Sequence, residues 1–322
     1  MKNTFGSDLS LTIFGESHGR AIGAVLDGMA AGVPVDEAFV AACMDKRRAR
    51  GDGLSTPRTE ADAVQFLSGV VNGYTTGTAI ALMVENQNTR SADYAKTADL
   101  LRPGHADYTA YAKYHGFQDA RGGGHFSGRV TAALVAGGAV VLGALSRAGI
   151  DISTHIAACA GISDTRFALD DAAALAAQVE ALAGKPEGFA VLDPAVEEPM
   201  KAAIRAAGAD GDSVGGLLET AILGLPAGIG EPYFDSVESK IAHLAFSIPA
   251  VKGIEFGTGF GFAGLRGSEA NDAFRMTPEG AVVTASNHNA GINGGIANGM
   301  PVVFRTVVKP TPSIYKQQDT VD

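Results

Sequence analysis

The chain has 322 residues, of which 46% are hydrophobic and 19% charged, a composition typical of a folded globular protein. Its formal net charge of −10 argues against nucleic acid as a partner, because nucleic-acid-binding domains are normally basic. The N-terminus shows no signal-peptide pattern, and Cys43 and Cys159 lie singly in apolar stretches, so we expect a cytoplasmic protein with reduced thiols.

The first predicted strand covers residues 9–14, and the second covers residues 21–26. The segment between them is GESHGR. Its polar members are Glu16, Ser17, His18 and Arg20. Such groups on a glycine-bounded turn between strands favour a catalytic or ligand-binding role, although a lone histidine in a turn is more often structural.

A helix is predicted from Asp36, its N-cap, through Arg50. It ends in the sequence KRRARG. One or two cations at a helix C-terminus are explained by the helix dipole. Four in five residues of an acidic chain favour a clamp for phosphate or carboxylate groups, with Arg47 and Arg48 as its candidates.

Residues 64–71 and 78–84 predict a hairpin-like pair of strands. Further along, in the sequence RPGHAD, a Pro-Gly pair predicts a rigid turn that presents His105. Asp107 is placed to cap a helix that ends near His115. His115 lies among tyrosines and is expected to be a surface or packing residue, so His105 is the better catalytic candidate.

The motif RGGGHFSGR, bounded by Arg121 and Arg129, precedes a long apolar helix predicted at residues 130–148. Three consecutive glycines allow close approach of the backbone to another group, because they carry no Cβ. Ser127 is placed as the helix N-cap, where free N–H groups favour an anion. A plain glycine turn before a core helix is the alternative; the two arginines and His125 favour the anion site.

The second half of the chain predicts a mixture of helices and strands. The helices cover residues 171–183, 195–207 and 235–246, and the strands cover residues 150–158, 251–256 and 302–308 and a segment ending at residue 225. The chain shows no repeat, linker or low-complexity segment, which predicts a single domain.

Two glycine-rich segments have different interpretations. GFGFAG at residues 259–264 matches the dinucleotide fingerprint, but a polar segment poor in helix formers follows, so we exclude a Rossmann site. Residues 287–299 predict a loop with several positive φ angles. Together with the stiff cationic segment 309–313, this loop favours a backbone wall for a large ligand.

Eight motifs together resemble the chorismate synthase family, in the family's order and over almost the whole chain. They are GESHG (15–19), RPGHADYT (102–109), RGGGHFSGR (121–129), GDSVGG (211–216), VKGIEFG (251–257), RGSEAND (266–272), SNHNAGINGGI (286–296) and KPTPSI (309–314). The resemblance implies anti-1,4-elimination of phosphate from 5-enolpyruvylshikimate 3-phosphate, which gives chorismate in the shikimate pathway of aromatic amino acid biosynthesis.

The resemblance also implies reduced FMN as a cofactor that undergoes no net redox change. NADPH is implied only if the protein has the flavin reductase activity of bifunctional family members, and no insertion for a nicotinamide site is evident. The implied fold is α+β, a single-domain β-α-β sandwich of central helices flanked by antiparallel sheets, assembled as a homotetramer. We expect no metal, nucleic acid or membrane partner.

The substrate carries a phosphate and two carboxylates, so an acidic enzyme needs a concentrated cationic pocket. The substrate-binding candidates are Ser17, Arg47, Arg48, Arg121 and Arg129. By resemblance, His18 lies at the leaving phosphate and His105 at the flavin nitrogen that becomes anionic; a histidine suits such proton transfers near neutral pH. The positions that match flavin-lining residues are His125, Phe126, Ser127, Pro249, Ala250, Gly294, Lys309, Pro310, Thr311, Pro312 and Ser313.

Two departures from the family pattern bear on the site. His125 stands where some members carry arginine, so its flavin contact is expected to differ. The family also carries an Arg-His-Asp-Pro-Cys motif in a C-terminal tail, and this sequence stops at Asp322 without it. We expect the natural protein to have that tail; the alternative is a truncated, inactive homologue that binds FMN or another anion.

Overall fold

The structure, a computed structural model, describes residues 2–49, 51–55, 61–87, 100–183 and 189–321. The chain divides into two compact units. The first unit comprises Met1–Ala144 with Pro312–Asp322, and the second comprises Leu145–Thr311. The single domain expected from the sequence stays a prediction.

The first unit contains strands β1 to β7 and helices α1 and α2, and most of helix α3. Their bounds are β1 Thr4–Gly6, β2 Ser10–Gly15, β3 Ala21–Asp27, α1 Glu37–Arg47, β4 Val64–Phe66, β5 Val70–Val71, β6 Tyr74–Thr75, β7 Ile80–Glu85, α2 Asp107–Tyr114 and α3 Thr131–Arg147.

The main sheet of this unit has the strand order β1-β2-β3-β7-β4, with each neighbouring pair antiparallel. In β7, Ile80, Leu82 and Val84 are at most 1% exposed, which is the period of two of a strand with a buried face. Ile80 lies opposite Leu26 and Val84 opposite Ile22 in β3. The predicted pairing is confirmed for β4 with β7, but the single strand predicted at residues 64–71 is wrong: it is interrupted after Phe66, and β5 pairs with β6 in a small hairpin of its own.

Helix α3 packs on this sheet through small side chains. Ala132, Ala136 and Val140 belong to the same hydrophobic core as the strands. A Cβ at Gly137 would lie 2.6 Å from Leu11 Cδ1, so glycine lets the helix approach β2 closely. By length and composition this helix with its preceding turn could cross a membrane, a test that buried core helices of soluble proteins also pass.

The second unit contains the remaining strands and helices. Their bounds are β8 Asp151–Cys159, β9 Ile162–Ser163, α4 Ala172–Ala183, α5 Glu197–Ala209, β10 Gly216–Leu223, α6 Val237–Ala245, β11 Val251–Phe256, α7 Gly267–Ala270, β12 Phe274–Met276, β13 Val282–Thr284, β14 Ile292–Asn293, β15 Ile296–Ala297 and β16 Val302–Val308. The helices and strands predicted in this half are found, with small shifts at their ends.

The main sheet of the second unit has the order β11-β16-β10-β8-β9 and is also antiparallel. Its register aligns one ionisable residue from each of four adjacent strands: Glu255, Arg305, Glu219 and His155 are successive cross-strand partners. We call these four residues the charged row. Glu219 and His155 have no exposed surface, so the row crosses the interior of the unit.

Helices and antiparallel sheets in both units confirm the α+β class. Helix α1 starts as predicted, because Asp36 accepts a hydrogen bond from Phe39 N at 3.0 Å. Its predicted extent is wrong: it ends at Arg47 because Arg48 is extended, and Arg50 lies outside the described residues. We attribute the early end to the ion pair that Arg47 makes with Asp62, a tertiary contact.

Asp107 was expected to cap helix α2, and this prediction is wrong. It is the first residue of the helix, and the N-cap is Ala106 without a side-chain bond. The Asp107 carboxylate instead accepts two hydrogen bonds from the Arg102 guanidinium, both at 2.8 Å. A charged bidentate pair is stronger than a neutral cap, so the turn folds around the arginine.

Candidate active site

The GESHGR turn between β2 and β3 packs against the RGGGHFSGR loop, more than a hundred residues later in the chain. Ser17 and His18 are 4% and 5% exposed. The backbone N–H of Ser17 donates to Gly124 O at 3.1 Å. The hydroxyl oxygen of Ser17 lies 3.0 Å from Gly122 O and 3.2 Å from Arg121 O, so its single proton is donated to these carbonyls. The fold therefore brings two predicted motifs together.

The glycines of the loop are required by their backbone conformation and, at Gly122 and Gly124, by close contacts. Gly122, Gly123 and Gly124 all have positive φ, which side-chain-bearing residues rarely adopt. A Cβ at Gly122 would lie 2.4 Å from Nε2 of His18, and a Cβ at Gly124 would lie 2.0 Å from Asp119 O. The expectation that these glycines allow a close approach is confirmed at two of them: Gly122 approaches the His18 ring, and Gly124 approaches the Asp119 carbonyl. The anion predicted here stays a prediction.

His125, Phe126 and Ser127 complete the loop. Nδ1 of His125 lies 2.7 Å from Gly15 O. Because a carbonyl oxygen only accepts, Nδ1 is the donor in this hydrogen bond. Phe126 is 42% exposed, an aromatic face available to a ligand. Ser127 caps the short turn that leads into helix α3, accepting from Arg129 N at 3.2 Å, close to its predicted role.

Each arginine predicted to bind substrate has an aspartate partner. Arg47 and Arg129 share Asp62, whose side chain is 2% exposed; the distance from Arg47 to its carboxylate is 2.6 Å. Arg48 pairs with Asp45 at 2.9 Å. The fourth pair is Arg121 with Asp119, at 2.7 and 2.8 Å. Hydrogen bonds and charge from Arg121 outweigh burial and lower the pKa of Asp119.

The exposures of these arginines differ and separate their possible roles. The side chain of Arg129 is 8% exposed and that of Arg47 is 23%, whereas those of Arg48 and Arg121 are 39% and 51%. Beyond Asp62, Arg129 donates to Asn86 Oδ1 at 3.0 Å. Arg129 is thus built into the protein, and the other three present more of their charge to solvent.

Asp62 and Asn86 are residues of the site that no sequence motif indicates. Asp62 stands just before β4 and has a positive φ, and Asn86 directly follows β7. A polar residue at the end of a predicted strand was the only available signal, and it is common. What makes both residues important is the contact with arginines distant in sequence.

His105 lies in the predicted turn after residue 102 and faces the C-terminal segment of the first unit. Its Nε2 is 3.1 Å from Ser313 Oγ, which joins a predicted catalytic residue to a predicted flavin-lining one. The turn is held by Arg102 and Asp107. Burial opposes ionisation of Asp107, but the hydrogen bonds and charge of Arg102 outweigh it and lower the pKa of that carboxyl.

The predicted flavin-lining residues are distributed over both units. His125, Phe126, Ser127, Pro312 and Ser313 belong to the first, and Pro249, Ala250, Gly294, Lys309, Pro310 and Thr311 to the second.

Within the second unit, Ala250 has a φ of +73°, and its carbonyl accepts from Lys309 N at 2.9 Å. The Thr311 carbonyl accepts from Ser213 Oγ at 2.7 Å. Gly294, at the turn of the β14–β15 hairpin, has open space where a Cβ would stand. The predicted positive-φ loop is confirmed, with a hairpin inside it.

Asp272 anchors the start of that loop. Its carboxylate accepts from Ser286 Oγ at 2.7 Å, from the backbone and ring nitrogens of His288 at 2.8 and 3.0 Å, and from both nitrogens of Asn289 at 2.9 and 2.8 Å. Burial opposes ionisation, but these bonds outweigh it and lower the pKa of Asp272 to about 2. In the sequence, Asp272 stands out only as the last residue of the RGSEAND motif.

In the part of the chain that the structure describes, neither cysteine belongs to a cluster that could bind a metal. Cys43 and Cys159 are free thiols, and burial raises the pKa of each. No group of three or more metal-ligating side chains is found among the described residues. The short helical turn at Gly259–Gly264 ends in an extended Leu265, so no helix starts at the third glycine of GFGFAG. A dinucleotide fingerprint needs a helix there, so the exclusion of a Rossmann site is confirmed.

Comparisons with known proteins agree with the motifs. The family model described as chorismate synthase matches residues 9–322. A chorismate synthase of Korarchaeum cryptofilum is 43% identical over 99% of this chain and 86% of its own length, and one of Methanosarcina mazei is 44% identical over 99% and 85%. A crystal structure of chorismate synthase superposes with a TM-score of 0.77 at 30% identity, over 95% of this chain and 86% of that one.

Proposed function

The chain belongs to the chorismate synthase family, and from that premise we propose how its residues carry out the elimination. The reaction is that of a carbon–oxygen lyase. The ring C–O bond to phosphate breaks, a hydrogen is lost from the far end of the 1,4-system, and a second double bond forms in the ring of the product, chorismate. The enzyme must therefore bind three anionic groups, a phosphate and two carboxylates, and assist the departure of the phosphate.

The observation that carries the proposal is the packing of Ser17 and His18 against the glycine loop. The Cβ-free backbone of Gly122 leaves room for the His18 ring, and the Ser17 bonds fix the turn. Rigid placement of an acid at the leaving group contributes through proximity as well as proton transfer. We propose that His18 donates a proton or a hydrogen bond to the leaving phosphate.

Arginines of the first unit supply the positive charge that the substrate needs. Arg47, Arg48 and Arg121 keep part of their guanidinium surface exposed, and we propose that they contact the phosphate and carboxylates. Arg129, which is buried, supports the site through Asp62. Aspartate partners hold the guanidinium groups in place before the substrate arrives, which reduces the entropic cost of binding.

Reduced FMN fits the chemical character of the residues assigned to it. In the first unit, Phe126 offers an exposed aromatic face and Ser313 brings a hydroxyl group. In the second unit, taken by itself, Gly294 leaves open space beside the backbone and Thr311 brings a hydroxyl group. When bound, reduced FMN supplies transient electron donation and undergoes no net redox change. We propose that His105, held against Ser313, exchanges a proton or hydrogen bond at the flavin ring.

Further features are proposed on the family resemblance. They are a cytoplasmic location, a homotetramer, no nucleic acid or membrane partner, and use of NADPH only by a flavin reductase activity. The net charge of −10 supports the absence of nucleic acid.

The test is anaerobic turnover of 5-enolpyruvylshikimate 3-phosphate by the purified protein with chemically reduced FMN. We expect chorismate and phosphate in equal amounts, with the flavin still reduced at the end. Oxidised FMN without a reductant is the control and should give no product. FMN binding without any chorismate would identify an inactive flavin-binding homologue instead, and oxidation of NADPH by FMN in the same protein would reveal a reductase activity.

A further inference from the structure

Asn86 follows strand β7 and has so far appeared only as a partner of Arg129. Its side-chain amide makes three hydrogen bonds in two directions: Nδ2 donates to Glu16 O at 3.0 Å and to Gly19 O at 2.9 Å, and Oδ1 accepts from Arg129 Nε at 3.0 Å. We propose that Asn86 is a positioning residue, which holds the turn carrying His18 in a fixed relation to the arginine cluster. The inference rests on the function proposed above.

The amide nitrogen of Asn86 bonds to the residues on either side of Ser17 and His18. Gly19 N donates to Glu16 O at 3.0 Å, which closes the turn around Ser17 and His18. The Asn86 amide reaches the carbonyls at both ends of this turn. The glycine loop holds the same turn through Ser17, so the His18 backbone is held by two separate parts of the chain.

The amide oxygen connects the turn to the cations. Arg129 continues from Asn86 to Glu85 O at 3.2 Å and to the carboxylate of Asp62, which also binds Arg47. Only an amide side chain has both a donor and an acceptor in this planar arrangement. Aspartate at this position would keep the acceptor and lose both donors to the turn.

The fold of the sheet does not depend on this side chain. Strands β3 and β7 pair over six residues, from Leu26 with Ile80 to Ala21 with Glu85. The backbone N–H of Asn86 adds one more bond, to Arg20 O at 3.1 Å, which any residue except proline would keep. Loss of the amide should therefore displace the turn while the sheet remains, and displacement of a reacting group by about 1 Å can cost roughly 10²-fold in rate.

The test compares Asn86→Asp and Asn86→Ser with the wild-type protein in the chorismate assay. We expect kcat to fall about 30–100-fold in both variants and KM to change less than about threefold, because His18 moves and the exposed arginines do not. The ring signals of His18 in NMR spectra, identified by their absence in His18→Ala, should shift in both. The serine variant shows that added charge is not the cause.

Thr75→Val is the matched control. Thr75 is a buried residue of the same unit whose hydroxyl also bridges two backbone groups, Val33 N and Ala30 O. It should lower the melting temperature and leave kcat and the His18 signals unchanged. Asn86 variants that behave like Thr75→Val, or that do not fold at all, would overturn the inference in favour of a purely structural role.

The two proposals fail in different ways. A wild-type protein that makes no chorismate with reduced FMN overturns the proposed function. The NMR comparison then still decides whether Asn86 positions His18: unchanged His18 signals in Asn86→Ser would overturn that as well.

Discussion

The ionic groups of the first unit and those of the second are arranged in different ways. In the first unit, arginines from a helix end and a loop each meet an aspartate and remain partly exposed, as Arg47, Arg48 and Arg121 show. In the second unit the charged row runs across adjacent strands, and Glu219 is fully buried.

The side chains of the charged row make hydrogen bonds to one another and to neighbouring residues of the second unit. His155 faces Asp164 at 2.9 Å through Nδ1 and Glu219 at 3.1 Å through Nε2. Arg305 donates to Glu255 at 2.7 Å and to Glu219 at 3.3 Å. Burial opposes ionisation of Glu219, but its bonds to His155, to a backbone N–H and to nearby arginines outweigh it and lower the pKa.

The comparison shows that ion pairs alone do not mark a functional site. Groups that hydrogen-bond to one another within a buried sheet stabilise one arrangement of the strands, provided that each partner is present. Groups on turns and helix ends, partly open to solvent, can exchange some of their bonds for those of a ligand. We therefore expect substitutions of the partly exposed arginines and the histidines of the first unit to affect mainly activity, and those in the charged row to affect mainly stability.

The largest effect is expected for His18→Ala. Turnover should fall about 10²–10⁴-fold, the range for loss of a general acid, while the substrate and FMN still bind. His105→Ala should behave in the same way. His115→Asn is the control, because His115 is an exposed residue with positive φ that asparagine tolerates. Near-normal turnover in both alanine variants would refute the assignment of these histidines.

Glu219→Ala tests the other side of the comparison. It leaves His155, Phe167 N and Arg305 without their shared acceptor, and removal of one partner from a buried ionic group typically costs about 3–5 kcal/mol in the free energy of unfolding. Denaturant unfolding measures the loss. Glu198→Ala, at an exposed helix position, should change the free energy by no more than about 0.5 kcal/mol. Equal losses in the two variants would contradict the role assigned to the row.

Arg47→Ala and Arg48→Ala separate two partly exposed arginines of the first unit by the burial of their aspartate partners. Each should weaken substrate binding by roughly 1.5–3 kcal/mol, the value of a charged hydrogen bond. Arg47→Ala should also lower the melting temperature, because Asp62 is buried and Arg48 is not paired with a buried group. Arg205→Ala, on an exposed helix of the second unit, serves as the control. Unchanged affinity in both variants would exclude the clamp.

The smallest effect is expected in the stability of the protein at acid pH. Because the pKa of Asp272 is lowered from its ordinary value of 3.8 to about 2, its ionised form stabilises the folded state, by about 2 kcal/mol. That stability is present above pH about 4 and is lost as the pH falls through about 2. Asp272→Asn should remove this part of the pH dependence of unfolding, and Asp235→Asn, at an exposed position, should retain it. The same loss of stability at low pH in both variants would contradict the prediction.

Much of the fold could be predicted from the sequence, because local patterns decide it. Strand β7 alternates buried and less buried residues, helix α1 begins at a capping aspartate, and β11 and β16 have the predicted bounds. Asp107 shows the limit: its type and position suited a helix cap, and a neighbouring arginine formed a stronger pair with it.

The family, the two loops with their histidines and glycines, and the α+β class could all be predicted from the sequence, because each depends on residues close together in the chain or on motifs in a fixed order. Tertiary structure alone decided which group faces each glycine, that Asp62 serves two arginines, and that Asn86 joins the turn to Arg129. Such contacts join residues tens of positions apart. A hydrogen bond depends on distances of a few tenths of an ångström, which only the packed chain sets.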